Sequence, residues 1–310
     1  MIWTVTLNPA LDKTIEVNNF RIGSVNRASS IRIDAGGKGI NVSKMVKTLG
    51  GKTKAFGILP GGNGRYIKGY LDRCGIENDF IFTEGETRTN IKVIDSLNHT
   101  NTDINEPGVN ISYNKIKELE EKIFKGIDKN TLLVLSGSVP NDVPKDIYRR
   151  WINISRKFGV RTILDCDGEL LKEGIKASPY LMKPNIDELQ GLIGREIANI
   201  NDMVLVSREI LKLGVEIVVL SMGFKGALFI KKDCAIHAVG IKVDVKSTVG
   251  AGDSMVAALA YALDTGMNFE KAAAYSMAAA TAKVTTSGTQ MPNFDRIVSI
   301  ENRIKLNYIK

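Results

Sequence analysis

Hydrophobic and polar positions follow two different periods along the chain. Short runs rich in β-branched residues predict buried strands, and they lie at 2–7, 54–59, 131–135, 161–165, 180–183 and 216–221. Stretches with the helical period predict helices, at 41–49, 64–74, 113–125, 144–158, 187–192, 202–213, 253–264 and 269–285. Because repeated strand–helix–strand units require crossovers, they give a mostly parallel sheet with helices on both faces. The pattern therefore predicts one doubly wound α/β domain over 1–310.

Two stretches, 11–34 and 88–105, break this rhythm. They alternate apolar and polar side chains, as in Thr14-Ile15-Glu16-Val17, and contain no helical pattern. Two-sided strands of this kind fit an antiparallel flap that stands away from the main sheet. They equally fit a pair of edge strands on the main sheet, and the pattern leaves both arrangements open.

The composition is that of an ordinary globular protein, with 44% hydrophobic and 25% charged residues. A formal net charge of +8 suits nucleic acid, an anionic membrane surface or a small phosphorylated substrate. No block of five or more basic residues occurs, and only 6% of the residues are aromatic. A nucleic-acid partner is therefore not expected.

Cysteine usage and the N-terminal sequence bear on the compartment. Cys74, Cys166 and Cys234 lie far apart and form no CxxC pair, which favours reduced thiols. Two histidines are too few for a histidine-based zinc site. The chain begins with strand-like sequence rather than a signal-peptide pattern, and no window reaches the ~18 apolar residues of a membrane span. We expect a cytoplasmic protein with no membrane partner.

The strongest local motif is Gly250-Ala251-Gly252-Asp253, which opens an apolar helical run. Glycines allow a sharp turn with exposed N–H groups, and a helix N-terminus attracts anions. Asp253 would suit a carboxylate that accepts the proton of an attacking hydroxyl. We expect the helix start to keep its pKa low, so that geometry makes it a base. An N-cap Asp after a glycine turn is the structural alternative.

Three weaker motifs accompany it. The loop 35–41 carries three glycines with Lys38 and Asn41, and suits a polyol or a phosphate, although a plain strand-to-helix turn explains it too. Asn185 and Glu188 lie three residues apart after a strand and fit either a Mg²⁺-linked site or a capping box. The turn 221–226 follows a strand and could fold over a nucleotide, or simply turn.

The order of these four elements is more informative than any one of them. A glycine-rich polar loop, an Asn-x-x-Glu element, a glycine turn and a Gly-x-Gly-Asp helix start follow one another along nearly the whole chain. In this order they resemble the ribokinase-like PfkB family of carbohydrate kinases. The resemblance implies a ribokinase-like α/β fold with a small β lid from about 11–34 and 88–105, ATP and Mg²⁺ as cofactors, and a homodimer formed through the lid.

The resemblance also implies residue roles. Asp253 would be the catalytic base, with an anion hole formed by Gly250, Ala251 and Gly252. The residues implied on the sugar-phosphate side are Asp12, Arg27, Gly37, Lys38, Asn41, Arg88, Asn90, Lys92 and Ser138. Those implied on the nucleotide side are Lys183, Asn185, Ser221, Gly223, Gly226 and Thr248, with Glu188 linked to Mg²⁺. The segment 276–280, Ser-Met-Ala-Ala-Ala, departs from the small or amide residues of relatives and leaves the nucleotide preference open.

The implied substrates are ATP and a phosphorylated ketohexose. The segment Asn90-Ile91-Lys92 after Thr-Arg resembles the branch of the family in which a basic residue follows. This resemblance favours fructose 1-phosphate, with fructose 1,6-bisphosphate as product, over tagatose 6-phosphate, with tagatose 1,6-bisphosphate as product. A non-catalytic sugar-phosphate-binding protein is the alternative of another class, because a fold does not determine a function. A nicotinamide oxidoreductase is disfavoured, since the dinucleotide fingerprint is missing.

Overall fold

The computed structural model describes residues 1–309. Its strands are β1 Ile2–Thr6, β2 Ala10–Val17, β3 Ala28–Gly36, β4 Thr53–Pro60, β5 Glu77–Thr83, β6 Thr89–Asp95, β7 Thr100–Asn105, β8 Leu132–Ser136, β9 Arg161–Asp165, β10 Leu181–Met182, β11 Ile217–Ser221, β12 Gly226–Lys231, β13 Cys234–Val239 and β14 Leu306–Tyr308. Its helices are α1 Lys38–Thr48, α2 Gly61–Arg73, α3 Tyr113–Lys125, α4 Ile147–Lys157, α5 Gly168–Ile175, α6 Ile186–Ile193, α7 Ile200–Lys212, α8 Ala251–Asp264, α9 Phe269–Val284 and α10 Phe294–Glu301.

The main sheet is mostly parallel, as the alternation of strands and helices predicts. Within residues 1–309 it has ten strands in the order β14-β13-β12-β11-β10-β9-β8-β1-β4-β5. Neighbours from β5 to β11 pair in parallel, whereas β12, β13 and β14 add antiparallel pairs at one edge. The six predicted strands are all present. The apolar runs 227–230 and 235–238, which flank Lys232-Asp233, carried the signal of the hairpin that the sequence prediction missed.

Helices cover both faces of this sheet. On one face α3, α4, α5 and α7 pack with side chains such as Leu133 and Leu135, and Trp151 is fully buried there. On the other face α1, α8, α9 and α10 pack against Leu132 and Val134. Because successive side chains of a strand point to opposite faces, the apolar residues 132–135 bury β8 on both sides. The predicted doubly wound α/β fold is confirmed.

The sheet order reverses at β1, which lies between β8 and β4. In open α/β sheets of this kind, ligands bind beyond the carboxyl ends of the strands at such a switch point. The chain places polar residues at this edge, among them Asp165 at the end of β9, Lys183 after β10 and Ser221 at the end of β11. The fold therefore gathers distant polar segments at one edge.

The stretches 11–34 and 88–105 form a second, four-stranded sheet in the order β3-β2-β6-β7. We call it the small sheet. It pairs within itself, so the edge-strand alternative does not hold. The flap is not wholly antiparallel, however: β2 pairs in parallel with β6, while β2–β3 and β6–β7 are antiparallel. The parallel pair arises because β2 and β6 are joined through the main sheet rather than by a hairpin.

None of the helices within residues 1–309 combines the length and the apolar character that a bilayer crossing needs.

Candidate active site

The motif at 250–253 forms the N-terminus of α8. Gly250 is the N-cap residue, with φ 77 in the left-handed region that glycine adopts without strain. Since the first N–H groups of a helix lack intrahelical acceptors, this start can bind an oxyanion through Gly252, whereas the N–H of Ala251 donates to Thr248 O at 3.3 Å. Asp253 lies in the first turn. The alternative of Asp253 as N-cap residue is therefore wrong.

Asp253 is buried, with 7% of its surface exposed. Asn41 Nδ2 donates a hydrogen bond to its Oδ2 at 2.8 Å. Burial, reinforced by the negative charge of Asp165, raises the pKa of Asp253 to about 6. The expectation of a low pKa is wrong, because desolvation outweighs the favourable helix start. A carboxylate with this pKa is ionised at neutral pH and still basic enough to accept a proton.

A buried carboxylate that the sequence analysis missed organises the cations beside Asp253. Asp165 is 1% exposed, and its Oδ1 lies 3.6 Å from Lys38 Nζ and 3.2 Å from Lys183 Nζ. The two ammonium groups hold the pKa of Asp165 below its ordinary value despite burial, and Asp165 in turn raises the pKa of Lys38. An Asp that ends a buried strand at the ligand edge of a parallel sheet was the available signal.

The start of α1 lies against this cluster. Gly37 is its N-cap residue, Lys38 is its first residue, and Asn41 is buried within its first turn. While Nδ2 of Asn41 bonds Asp253, its Oδ1 is buried without a hydrogen-bond partner in the described part of the chain. The loop 35–41 is thus more than a strand-to-helix turn, because it delivers an amide and an ammonium to the neighbourhood of Asp253.

The small sheet presents a polar face to a second part of the site. Cross-strand neighbours share a face, and Asp12 pairs with Asp34 on β3 and with Asn90 on β6. On the same face, Lys92 Nζ lies 3.2 Å from Asp103 Oδ1. A cavity of about 220 Å³ is lined by this face and by Val249, Gly288 and Thr289. The structure therefore brings Asp12, Asn90 and Lys92 together.

Asp12 repeats the arrangement seen at Asp253. Asn90 Nδ2 donates to Asp12 Oδ1 at 3.0 Å, and Asn90 Oδ1 is buried without a partner among residues 1–309. Burial raises the pKa of Asp12. Its carboxylate packs directly on the Cα of Gly36, where any Cβ would overlap it. Two carboxylate–amide pairs thus lie on either side of the start of α1, each with an amide oxygen ready to accept a hydrogen bond.

The remaining residues of the sugar-phosphate group lie in other environments. Arg88 donates to Asn8 O at 3.1 Å, Glu106 O at 3.0 Å and Pro9 O at 3.4 Å, and so fastens the β1–β2 connection. Asn8 Nδ2 also donates to Ser138 Oγ at 3.3 Å. Arg27 lies in the exposed stretch that precedes β3. It lines neither the 220 Å³ cavity nor a larger cavity of about 920 Å³.

A cavity of about 920 Å³ opens on the other side of the α8 start, and its size suits a nucleotide. It lies between the turn after β11, α8 and α9. Five of the six residues assigned to the nucleotide side line it: Asn185, Ser221, Gly223, Gly226 and Thr248. The sixth, Lys183, instead approaches Gly252, where a Cβ would lie 3.3 Å from its Nζ. Phe224, 89% exposed, stands at the cavity wall.

Asn185 and Glu188 form the capping box that the sequence allowed. Glu188 N donates to Asn185 Oδ1 at 2.7 Å, and Asn185 N donates to Glu188 Oε2 at 2.9 Å. Burial raises the pKa of Glu188. Residues 1–309 contain no cluster of three or more acidic, histidine or cysteine side chains that could enclose a metal. Glu188 fits the usual Mg²⁺ site, in which one or two carboxylates act with water and substrate phosphates.

Comparisons with known proteins agree with this geometry. A family model described as pfkB family carbohydrate kinase matches residues 5–296. The chain is 40% identical over 283 residues to the 1-phosphofructokinase of Borreliella burgdorferi, covering 91% of each chain. It is 35% identical over 272 residues to that of Bacillus subtilis, covering 88% of each chain. A structure of phosphofructokinase-2 from Escherichia coli in complex with substrates and products matches with a TM-score of 0.94 and 30% identity, over 98% of this chain and 99% of that one.

Proposed function

Because this chain belongs to the pfkB family of carbohydrate kinases, we propose that it transfers the γ-phosphoryl group of ATP to the 6-hydroxyl of fructose 1-phosphate. The products are fructose 1,6-bisphosphate and ADP. Relatives named 1-phosphofructokinase, 40% and 35% identical over most of their length, support this choice of sugar phosphate. Asp12, Asn90 and Lys92 line one cavity, and five of the six residues assigned to the nucleotide line another. The two cavities flank the start of α8, which supports an in-line transfer between them.

The observation that carries the proposal is the pair of carboxylate–amide contacts, Asp12–Asn90 and Asp253–Asn41. Each amide donates its N–H to a carboxylate and keeps a buried oxygen without a partner among the described residues. Buried polar groups are normally hydrogen-bonded, so these oxygens are placed to accept from a donor, and sugar hydroxyls are donors as well as acceptors. Asp12 and Asn90 would bind the hydroxyls of the ketohexose, and Asn41 would bind the hydroxyl beside Asp253.

Asp253 would act as the general base. Its carboxylate accepts the proton of the 6-hydroxyl as the oxygen attacks the γ-phosphorus, and the bond from that phosphorus to the β–γ bridging oxygen of ATP breaks. The start of α8 at Gly250–Gly252, with the N–H of Gly252 as donor, would stabilise the charge that develops on the phosphoryl oxygens. Lys38 and Lys183 add two cations beside this path. The chain thus supplies a base, an anion hole and compensating charge.

Glu188 is the residue we assign to Mg²⁺, through bound water near the ATP phosphates. Bound Mg²⁺ would neutralise part of the phosphate charge. The capping box fixes Glu188 Oε2 on Asn185 N, so the position of the carboxylate is set by α6 itself. The residues that hold the adenine ring would be those of the 920 Å³ cavity, with Met277 and Ala280 on α9 and Phe224 at its wall.

We also propose that the small sheet is a lid and that two lids pair in a homodimer. Its polar face covers the sugar cavity. Its opposite face is apolar, and Ile31, Ile33 and Ile104 are 56%, 43% and 56% exposed. Exposed sheet faces and edges of this kind are usually covered by a partner. The molar mass in solution, measured by light scattering for the native chain and for Ile31→Lys, tests this pairing.

The function is tested by ATP consumption with fructose 1-phosphate, tagatose 6-phosphate and fructose 6-phosphate side by side. We expect kcat/KM to be at least about tenfold higher for fructose 1-phosphate, which corresponds to about 1.4 kcal/mol in transition-state binding. Preference for tagatose 6-phosphate would reassign the substrate within the family. No ADP release with any of the three sugars, under conditions in which the sugars bind, would indicate the non-catalytic alternative.

A further inference from the structure

Lys283, near the end of α9, is a buried cation that the proposed mechanism does not use. The residue has 0% exposure. Its Nζ donates to Gly288 O at 2.6 Å and to Thr286 Oγ1 at 3.1 Å. Among residues 1–309 no carboxylate lies within salt-bridge distance of it. Burying an unpaired charge costs free energy, so this position would favour an apolar side chain if packing were its only role.

The side chain of Lys283 packs against the anion hole. A Cβ built on Gly250 would lie 3.3 Å from Lys283 Cε and 3.9 Å from Asp253 Oδ2. The stem of Lys283 and the carboxylate of Asp253 therefore flank the same residue, the N-cap of α8. A shift of this lysine would move the turn that positions both the helix N–H groups and the base.

The turn that Lys283 holds is also fixed from other elements. Lys44 Nζ on α1 donates to Thr289 O at 3.1 Å, next to the carbonyl that Lys283 binds. Gly288 packs against the side chains of Arg32 and Asp34 on β3. The charged groups that face Lys283 are thus Lys44 on α1, Asp253 on α8, and Asp34 and Arg32 on β3. The turn 286–289 joins the small sheet, α1 and the start of α8.

We propose that Lys283 is a positioning residue for phosphoryl transfer, whose protonated ammonium anchors the turn 286–288 and thereby holds Gly250 and Asp253 in their reactive arrangement. The inference rests on the proposed function. Loss of the proton replaces the charge-assisted hydrogen bond to Gly288 O with the weaker one of a neutral amine and so loosens this anchor. Burial, followed by the neighbouring Lys44, lowers the pKa of Lys283 to about 8. The anchor is therefore mostly in its charged form at neutral pH and is weakened in the alkaline range.

The test is a set of steady-state profiles from about pH 6 to about pH 10 for the native enzyme, Lys283→Met and Lys283→Arg. The native kcat/KM, whose pH dependence reports the groups of the free enzyme, should fall above about pH 8. Lys283→Met should lower kcat at neutral pH by about tenfold or more, with both KM values within about twofold, because positioning acts on the transition state. It should also lose the alkaline limb. Lys283→Arg should keep most of kcat and lose the limb, since a guanidinium stays protonated.

Lys271→Met is the matched control, because Lys271 lies on the same helix but is 55% exposed and pairs with Glu301. It should match the native profile. A native kcat/KM that stays constant to about pH 10 overturns the inference without any variant. A fall in kcat/KM above about pH 8 that persists in Lys283→Met or Lys283→Arg also overturns it. Native turnover of the sugar phosphate at neutral pH tests the proposed function separately, so the two failures are distinguishable.

Discussion

Asn41 and Asp253 are 212 residues apart in sequence and are joined by a hydrogen bond of 2.8 Å from Asn41 Nδ2 to Asp253 Oδ2. The bond links the glycine-rich loop near the N-terminus to the helix start near the C-terminus. It favours the charged form of Asp253 and so opposes the two effects that raise the pKa of this carboxyl, burial and Asp165. The basicity of Asp253 is thus set by both halves of the chain.

Replacing Asn41 with Ala should raise the pKa of Asp253 above about 6. Because kcat/KM depends on the ionised base of the free enzyme, the acid limb of its pH profile, where kcat/KM falls as the base is protonated, should move to higher pH. Activity at neutral pH should fall and partly recover in mildly alkaline buffer. Asn302→Ala, an exposed change at the end of α10, is the control and should leave the limb in place. An unchanged acid limb in Asn41→Ala would show that the hydrogen bond from Asn41 does not affect the pKa of Asp253.

Asp165→Asn should shift the same limb in the opposite direction. Removing the second negative charge lowers the pKa of Asp253, so kcat/KM should persist to lower pH. The change also leaves Lys38 and Lys183 without their carboxylate, and losing one member of a buried ion cluster costs about 3–5 kcal/mol. Urea unfolding and the pH profile measure both effects on one variant. An acid limb that moves to higher pH would contradict the claim that the negative charge of Asp165 raises the pKa of Asp253.

Asp253→Asn should make the folded protein more stable at neutral pH. The pKa of Asp253 is about 6 when folded and 3.8 ordinarily, so between these values the folded state binds more protons. Stability therefore falls as pH rises through this window, by on the order of 3 kcal/mol in total. The Asn variant avoids this loss. The difference between its free energy of unfolding and that of the native protein, measured in urea, should be fully present above about pH 6 and absent below about pH 4. Equal stability of both proteins at neutral pH would show that Asp253 is not desolvated.

Gly36→Ala should weaken sugar binding. Its Cβ would overlap the Asp12 carboxylate, so Asp12 must move away from Asn90 and KM for the sugar phosphate should rise by about tenfold or more. KM for ATP should change little, since the nucleotide cavity lies across α8. Gly191→Ala is the matched control: it lies within α6 with open space around it, and it should stabilise the protein by about 0.5–1 kcal/mol. A native KM for the sugar phosphate in Gly36→Ala would contradict the proposal that Asp12 binds the sugar.

Local patterns predicted the strands and helices that carry a strong period. The runs 2–7 and 216–221 form β1 and β11, and 253–264 and 269–285 form α8 and α9, all within two residues at either end. The strand β5 was missed because its sequence mixes buried and exposed positions at the end of the sheet. The helices α5 and α10 were missed because each has only eight residues and neither has a side-chain cap, whereas the equally short α6 begins with the Asn185–Glu188 capping box.

The candidate site could be predicted only in part. Motif order brought Asp12, Asn41 and Asp253 into one hypothesis, and the structure places each of them beside an amide or a carboxylate partner. Asp165 reads in sequence as the last residue of a strand, and Lys283 reads as a basic residue that suits a helix C-terminus. Their roles depend on contacts between distant segments and on burial, neither of which a local pattern contains.

The most direct test of the account is the rate of fructose 1,6-bisphosphate formation from fructose 1-phosphate and ATP by the native enzyme and by Asp253→Asn. Asp264→Asn, at the far end of α8, serves as the control. Loss of a general base should lower kcat by about 10²–10⁴-fold, while circular dichroism of the variant and its binding of both substrates stay native. Bisphosphate formation by Asp253→Asn at a rate close to the native one would contradict the role of Asp253 as the catalytic base.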